Sequence, residues 1–283
     1  MITVIGVVLS GAVLIRILLE AGHTEEYEGN TPEQQDARIG IMQTTGKQEI
    51  QADVAHAAVT KAGMLAVLAD GIGRANTGKL CAQMAADIVL DHYETYHILT
   101  NPVYFFKSTF AEAHRRIQQT IGDRRGGTSF ASVFVNDTHI YYAVAGNIRI
   151  ALIRNGELIP LNQGQTIDVL AVQAYDRGKI TKKEAIWSMD EKRVWNYLGR
   201  DGFKEVELCE RPIQIRQGDQ ILLLSKGIFE ELSWGEIEDL IQEQGSAEEV
   251  ASRIVWAAEE KKNPYMDNGS VLLIKTGADG GNR

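Results

Sequence analysis

The run Leu65-Ala-Val-Leu-Ala-Asp-Gly-Ile-Gly73 is apolar from Leu65 to Ala69 and then delivers a carboxylate, Asp70, beside a glycine. A short unbroken apolar run closed by a turn signal reads as a strand buried on both faces. Asp70 stands at that strand's end, and Gly71 frees the backbone carbonyl to approach a ligand. Asp267-Asn268 precedes the last apolar run in the same manner, and Asp53 lies just before the segment that leads into Met64–Leu68. Three carboxylates at strand termini can converge on a hard cation with oxygen ligands, Mg²⁺ or Mn²⁺. Each can equally serve as a turn former.

Outward from this run, β-branched apolar segments at Ile39–Met42, Ser129–Val135, Ile140–Ala145, Ile148–Ile153, Ile221–Leu224 and Ser270–Ile274 predict further strands. Asn136-Asp-Thr-His139 and Asn155-Gly156 read as hairpin connections, because Asn and Gly tolerate positive φ. Helical spacing predicts helices over Thr77–Tyr93, Pro102–Ile121, Lys182–Trp187 with an extension towards Leu198, Trp234–Glu243 and Ala247–Lys261. In the second, Phe105, Phe106, Phe110, His114 and Ile117 form a stripe that faces a sheet. Meandering strands interleaved with helix pairs predict an α+β domain whose helices cover antiparallel sheets.

The 283 residues carry Lys+Arg 29 against Asp+Glu 38, a formal net charge of -9, which is no electrostatic footprint for nucleic acid. Cys81 and Cys209 form neither a disulfide framework nor a zinc motif. Residues 1–20 open with Met-Ile-Thr-Val-Ile-Gly-Val-Val-Leu, and their apolar run would rise about 28 Å as a helix, near the bilayer's hydrocarbon thickness of about 30 Å. They predict a transmembrane anchor, with Arg16 weakly placing the remainder in the cytoplasm as a single-pass protein. Residues 21–38 read as a polar linker, 39–276 as the folded domain and 277–283 as a flexible tail.

Taken in order, the motifs resemble those of the metal-dependent type 2C (PPM) protein Ser/Thr phosphatases. The resemblance rests on Gly46-Lys-Gln-Glu-Ile-Gln-Ala-Asp53, on Ala66-Val-Leu-Ala-Asp-Gly-Ile-Gly73, on Gly127-Thr-Ser129 and on Ala143-Val-Ala-Gly-Asn-Ile-Arg149. It continues through Arg154-Asn-Gly-Glu-Leu-Ile-Pro-Leu161, Gly178-Lys-Ile-Thr-Lys-Lys-Glu-Ala185, Val194-Trp-Asn-Tyr-Leu-Gly199, Gly218–Ser233 and Asp267-Asn268. It implies a β-sandwich of two antiparallel sheets flanked by helical layers, with a binuclear Mg²⁺ or Mn²⁺ centre whose bridging water attacks a phosphoserine or phosphothreonine. Carried over, Asp70 bridges both metals, Gly71 offers its carbonyl, Asp267 completes one site and Asp53 orients a metal-bound water. The implied partner is a phosphoprotein or a protein of a kinase pathway.

The departures fall where the chemistry is. Gln48 stands where the family places its phosphate-binding Arg, Ala52 where it usually has a metal-binding acid, and Asn147 in place of the acid of a third metal. Lys226 replaces the aspartate that ligates the first metal. A cation beside a dication reverses an interaction of about 4 kcal/mol at 4 Å and an effective dielectric near 20. The expectation is therefore a catalytically impaired, membrane-tethered pseudophosphatase with a regulatory or binding role; the Lys226 ammonium either occupies the lost metal's place between Asp70 and Asp267 or points outward. The alternative is an active phosphatase on a residual metal site, with Glu230 or Glu231 supplying the missing oxygen.

Overall fold

The computed structural model describes residues 38–276 apart from positions 75, 96, 97 and 210. The strands are β1 (Ile39–Thr44), β2 (Val54–Thr60), β3 (Gly63–Gly73), β4 (Gly126–Val135), β5 (His139–Ala145), β6 (Arg149–Arg154), β7 (Glu157–Pro160), β8 (Glu207–Leu208), β9 (Ile213–Gln214), β10 (Gln220–Leu224) and β11 (Gly269–Lys275). The helices are α1 (Thr77–Thr95), α2 (Pro102–Ile121), α3 (Ile167–Asp176), α4 (Lys182–Trp187), α5 (Lys226–Phe229), α6 (Trp234–Gln242) and α7 (Ala247–Glu260).

One sheet runs β1-β11-β10-β6-β7 and the other β2-β3-β4-β5-β8, with β9 also on β5. Every pairing is antiparallel. Strand β3 shows why its sequence is apolar without alternation. Leu65, Val67 and Ala69 face α1 and α2, while Met64, Ala66 and Leu68 face the opposite sheet, so both phases of the pleat are buried. The helix-side core is aromatic, with Phe110 and Phe130 edge to face at 5.1 Å. A third core seals the other sheet beneath α6 and α7, through Ile237, Ile254 and Val255. The order is therefore helices, sheet, sheet, helices.

The helix ends follow local chemistry. Thr181, Ser233 and Ser246 each cap a helix through a complete capping box with Glu184, Glu236 and Glu249. Asn155 and Gly156 both take positive φ, 55° and 82°, as the β6–β7 turn requires.

Three expectations change. Strand β3 does not stop at Asp70 but continues through Gly73, because Gly126 and Gly127 on β4 let Gly73 and Ile72 pair closely. Helix α4 does not extend towards Leu198. Instead Val194 and Leu198 bridge to Thr166 and Thr128, committing that backbone to extended pairing. The membrane assignment is also corrected: no helix among the described residues is long and apolar enough to cross a membrane. The long helices α1 and α2, of 19 and 20 residues, are one-sided. α2 buries Phe106, Phe110, Ala113 and Ile117 while Lys107, Arg115 and Arg116 are exposed, so its apolar face is spent on the sheet. The anchor read over residues 1–20 and the linker up to residue 37 lie outside the described residues, as does the tail 277–283. The single-pass, membrane-tethered reading is corrected with it, since the described residues supply no such helix.

Candidate functional site

The site forms where four segments meet at one end of the sandwich: the start of β2, the far end of β3, the β10–α5 junction and the start of β11. Backbone bonds fix their positions. Asn268 accepts the Ala52 N–H on Oδ1 at 2.9 Å and donates through Nδ2 to the Thr45 carbonyl at 2.9 Å. The Gly227 N–H donates to the Asn268 carbonyl at 3.2 Å. Thr128 Oγ1 donates to the Asp70 carbonyl at 2.9 Å. A Cβ on Gly71 would lie 2.6 Å from Gly78 and 2.7 Å from the Ala52 carbonyl, so a glycine is needed for the strand to pass between them.

Asp53 is buried, and its Oδ2 accepts two hydroxyls, Ser225 at 2.6 Å and Ser270 at 2.7 Å. Its Oδ1 is buried without a partner among the described residues. Burial pushes its pKa up from 3.8 to about 6 against the lowering effect of the two serines. Asp70 is also held well above the usual carboxylate range, first by burial and then by the charges of Asp53 and Asp267, while Lys226 pulls the other way.

Lys226 Nζ lies 3.2 Å from Asp267 Oδ2 and 3.7 Å from Glu230 Oε2. Burial opposes its charge, but Glu230 and Asp267 outweigh that and raise its pKa above the ordinary lysine value, so the ammonium is stable where it stands. Asp70 acts on Lys226 electrostatically and is not one of its ion-pair partners. The structure thus brings Asp53, Asp70, Asp267 and Lys226 into one electrostatic cluster.

The other singled-out residues fall elsewhere. Gln48 is exposed on the turn after β1, with its N–H on the Thr45 carbonyl. Ala52 contributes only backbone. Asn147 is buried beside a neighbouring cavity.

A cleft of about 810 Å³ opens over Asp70, Gly71, Lys226 and Asp267. Its walls carry Arg125, Lys192, Arg193 and Arg200, cations that motif reading missed because they lie on loops with no fixed spacing to the carboxylates. The two serines on Asp53 were missed too. Ser225 could have been found from its place at the end of a strand, immediately before Lys226.

The donor set does not fit a pair of divalent cations. Lys226 presents an ammonium already paired with Asp267, and among the described residues no group of three His, Cys, Asp or Glu could hold a metal ion.

The raised Asp53 pKa has a measurable consequence. The folded state binds this proton more tightly than the unfolded chain, so the stabilisation is complete below pH 3.8 and is lost as pH rises through about 6. Urea unfolding is expected to give a stability about 2 kcal/mol lower near pH 7.5 than near pH 4.5 from this group alone. Asp53→Asn, which keeps an acceptor for both serines, should remove that share of the slope. An unchanged slope would show that Asp53 does not titrate in this range.

No protein-family model matches the chain, and no curated protein matches it. Solved structures do. The S. agalactiae serine/threonine phosphatase is 21% identical, with a TM-score of 0.73 over 84% of this chain and 99% of that one. The Mycobacterium tuberculosis serine/threonine phosphatase PstP/Ppp is 22% identical, with a TM-score of 0.70 over 85% of this chain and 99% of that one. Stp1 from Staphylococcus aureus is 16% identical, with a TM-score of 0.72 over 85% and 95%. At these identities the likeness establishes the fold, which is that of the PPM Ser/Thr phosphatases.

Proposed function

We propose that this chain is a PPM-fold domain of Ser/Thr phosphorylation signalling that binds or regulates a partner phosphoprotein or kinase-pathway protein instead of hydrolysing phosphate esters. The observation that carries the reading is the Lys226 ammonium, 3.2 Å from Asp267 Oδ2, at the position where the motif resemblance puts the first metal's ligand. The cation neutralises Asp267 internally and leaves no oxygen donor at that position. Asp70, Gly71, Asp267 and Asp53 keep the family's places. Gln48, Ala52, Asn147 and Lys226 are the degenerate ones. The basic walls of the cleft support capture of an anionic partner without a metal.

The competing reading, an active phosphatase on residual Mg²⁺ or Mn²⁺, is favoured by Glu230, an acid 3.7 Å from Lys226 that could enter a metal's coordination shell. One experiment separates the two. The full chain is titrated with Mn²⁺ by calorimetry while p-nitrophenyl phosphate turnover is followed in the same samples. The expected result is neither micromolar binding nor turnover from a folded protein. Micromolar binding with turnover that disappears in Asp70→Asn would make the chain an enzyme.

A further inference from the structure

The chain carries a net charge of -9, yet one surface concentrates cations. Beyond the carboxylate cleft, at the end of β3, lies a second hollow of about 700 Å³, bordered by Arg74, Arg124, Arg125 and Tyr197. Ile72, Gly73, Arg125 and Tyr197 line the cleft as well, so the two form one continuous groove. Among the described residues the hollow has no acid on its walls.

These cations are not committed elsewhere. Arg74 and Arg125 are exposed and enter no ion pair among the described residues. Arg124 donates Nε to the Ile121 carbonyl at 3.1 Å and Nη2 to the Thr120 carbonyl at 3.0 Å, which anchors the guanidinium at the end of α2 with no carboxylate on it. Arg200 lies 5.9 Å from the centroid of the Tyr197 ring, where the groove passes from the cleft to the hollow. The acid beside it in sequence, Asp201, accepts from Gln118 Nε2 at 3.2 Å. The floor between the arginines is backbone: Gly73 pairs with Gly126 at the end of the β3–β4 ladder, and neither raises a side chain.

The spread of these charges specifies the occupant. A lone phosphate would use one or two of the guanidinium groups, whereas groups strung along a groove match charges strung along a chain. A long polyanion would meet the repulsion of an otherwise acidic protein. A short acidic peptide gains the local attraction without facing the rest of the surface.

We propose that this groove binds an acidic segment of the partner protein, Glu or Asp residues lying beside its phosphorylated residue. The inference rests on the binding role proposed above and names the sequence preference of that site. A strand rises about 3.3 Å per residue, so Asp70 in the cleft and Gly73 beside Arg74 stand about 10 Å apart, the length of about three residues of an extended peptide. The acids that matter therefore stand about three or four positions from the phosphorylated residue.

The test is fluorescence anisotropy of the full chain with labelled phosphothreonine peptides that carry Glu, Gln or Lys at those flanking positions, together with the unphosphorylated Glu peptide. The Glu-flanked phosphopeptide is expected to bind about tenfold more tightly than the Gln-flanked one, as two or more exposed charge pairs imply, and the Lys-flanked one most weakly. The preference should fade between about 0.1 M and 1 M salt, as the Debye length falls from about 10 to about 3 Å. Arg74→Glu, at an exposed position outside the cleft, should cut the preference for Glu over Gln to less than about twofold, and Arg74→Lys should keep most of it. Equal binding of the Glu- and Gln-flanked phosphopeptides, or an unchanged preference in Arg74→Glu, would overturn this inference and leave the binding role standing. Equal binding of the phosphorylated and unphosphorylated Glu peptides would support the groove as an acidic-peptide site and overturn the phosphoprotein reading. Binding of no peptide would overturn both.

Discussion

Lys226→Asp is expected to create Mn²⁺ binding in the micromolar range where the unaltered chain has none. The ammonium sits 3.2 Å from Asp267 Oδ2, so the substitution removes a competing cation, frees Asp267 and restores an oxygen donor together. Each unit-charge interaction at about 4 Å is worth roughly 4 kcal/mol at an effective dielectric near 20. Reversing the sign beside a dication is therefore an effect on the order of ten kcal/mol before relaxation. Even a third of that is more than a hundredfold in affinity. The gain should vanish when Asp70→Asn is added, because Asp70 stands beside both groups, its carboxyl held high first by burial and then by the charges of Asp53 and Asp267. Calorimetry on the three proteins checks this. Unchanged binding in Lys226→Asp would mean that the ammonium is not what keeps metal out.

Gly71→Ala is expected to cost about 3 kcal/mol or more of stability. The new Cβ would lie 2.6 Å from the Gly78 carbonyl and 2.7 Å from the Ala52 carbonyl, both backbone. A flexible side chain could swing away, whereas here β3, α1 and the entry to β2 would have to separate. Gly235→Ala is the control, since nothing lies within 4 Å of its added carbon at the start of α6. It should be neutral or stabilising by about 0.5 kcal/mol. Urea midpoints compare the two directly. Similar midpoints would refute the close approach at Gly71.

Much of the fold was legible because its signals are local. The unalternated run Leu65–Ala69 announces burial on both faces, and the structure divides it between the helix side and the sheet side. The α2 stripe of Phe105, Phe106, Phe110 and Ile117 needed only helical spacing. The end of β3 was misread because Gly-Ile-Gly reads as a turn. Only a partner strand that also begins with two glycines keeps it in the ladder. The apolar opening of the chain was read from length and hydropathy alone. The described residues hold no membrane-crossing helix, since their long helices spend their apolar faces on a sheet.

The sequence by itself determined most of the strands, the helices α1, α2, α4, α6 and α7, the order of the motifs and the presence of a lysine where the resemblance expects a metal's aspartate, but not the helix caps, α3 or α5. Only the tertiary structure decided what that lysine does. Its ion pairs are Asp267, far along the chain, and Glu230, one turn on, with Asp70 acting through the field alone. Likewise Asp53 is held by hydroxyls 172 and 217 residues away. Periodicity and spacing report neighbours along the chain. Charge pairing, buried hydroxyls and unsatisfied groups depend on which distant segments the sandwich brings to the same end.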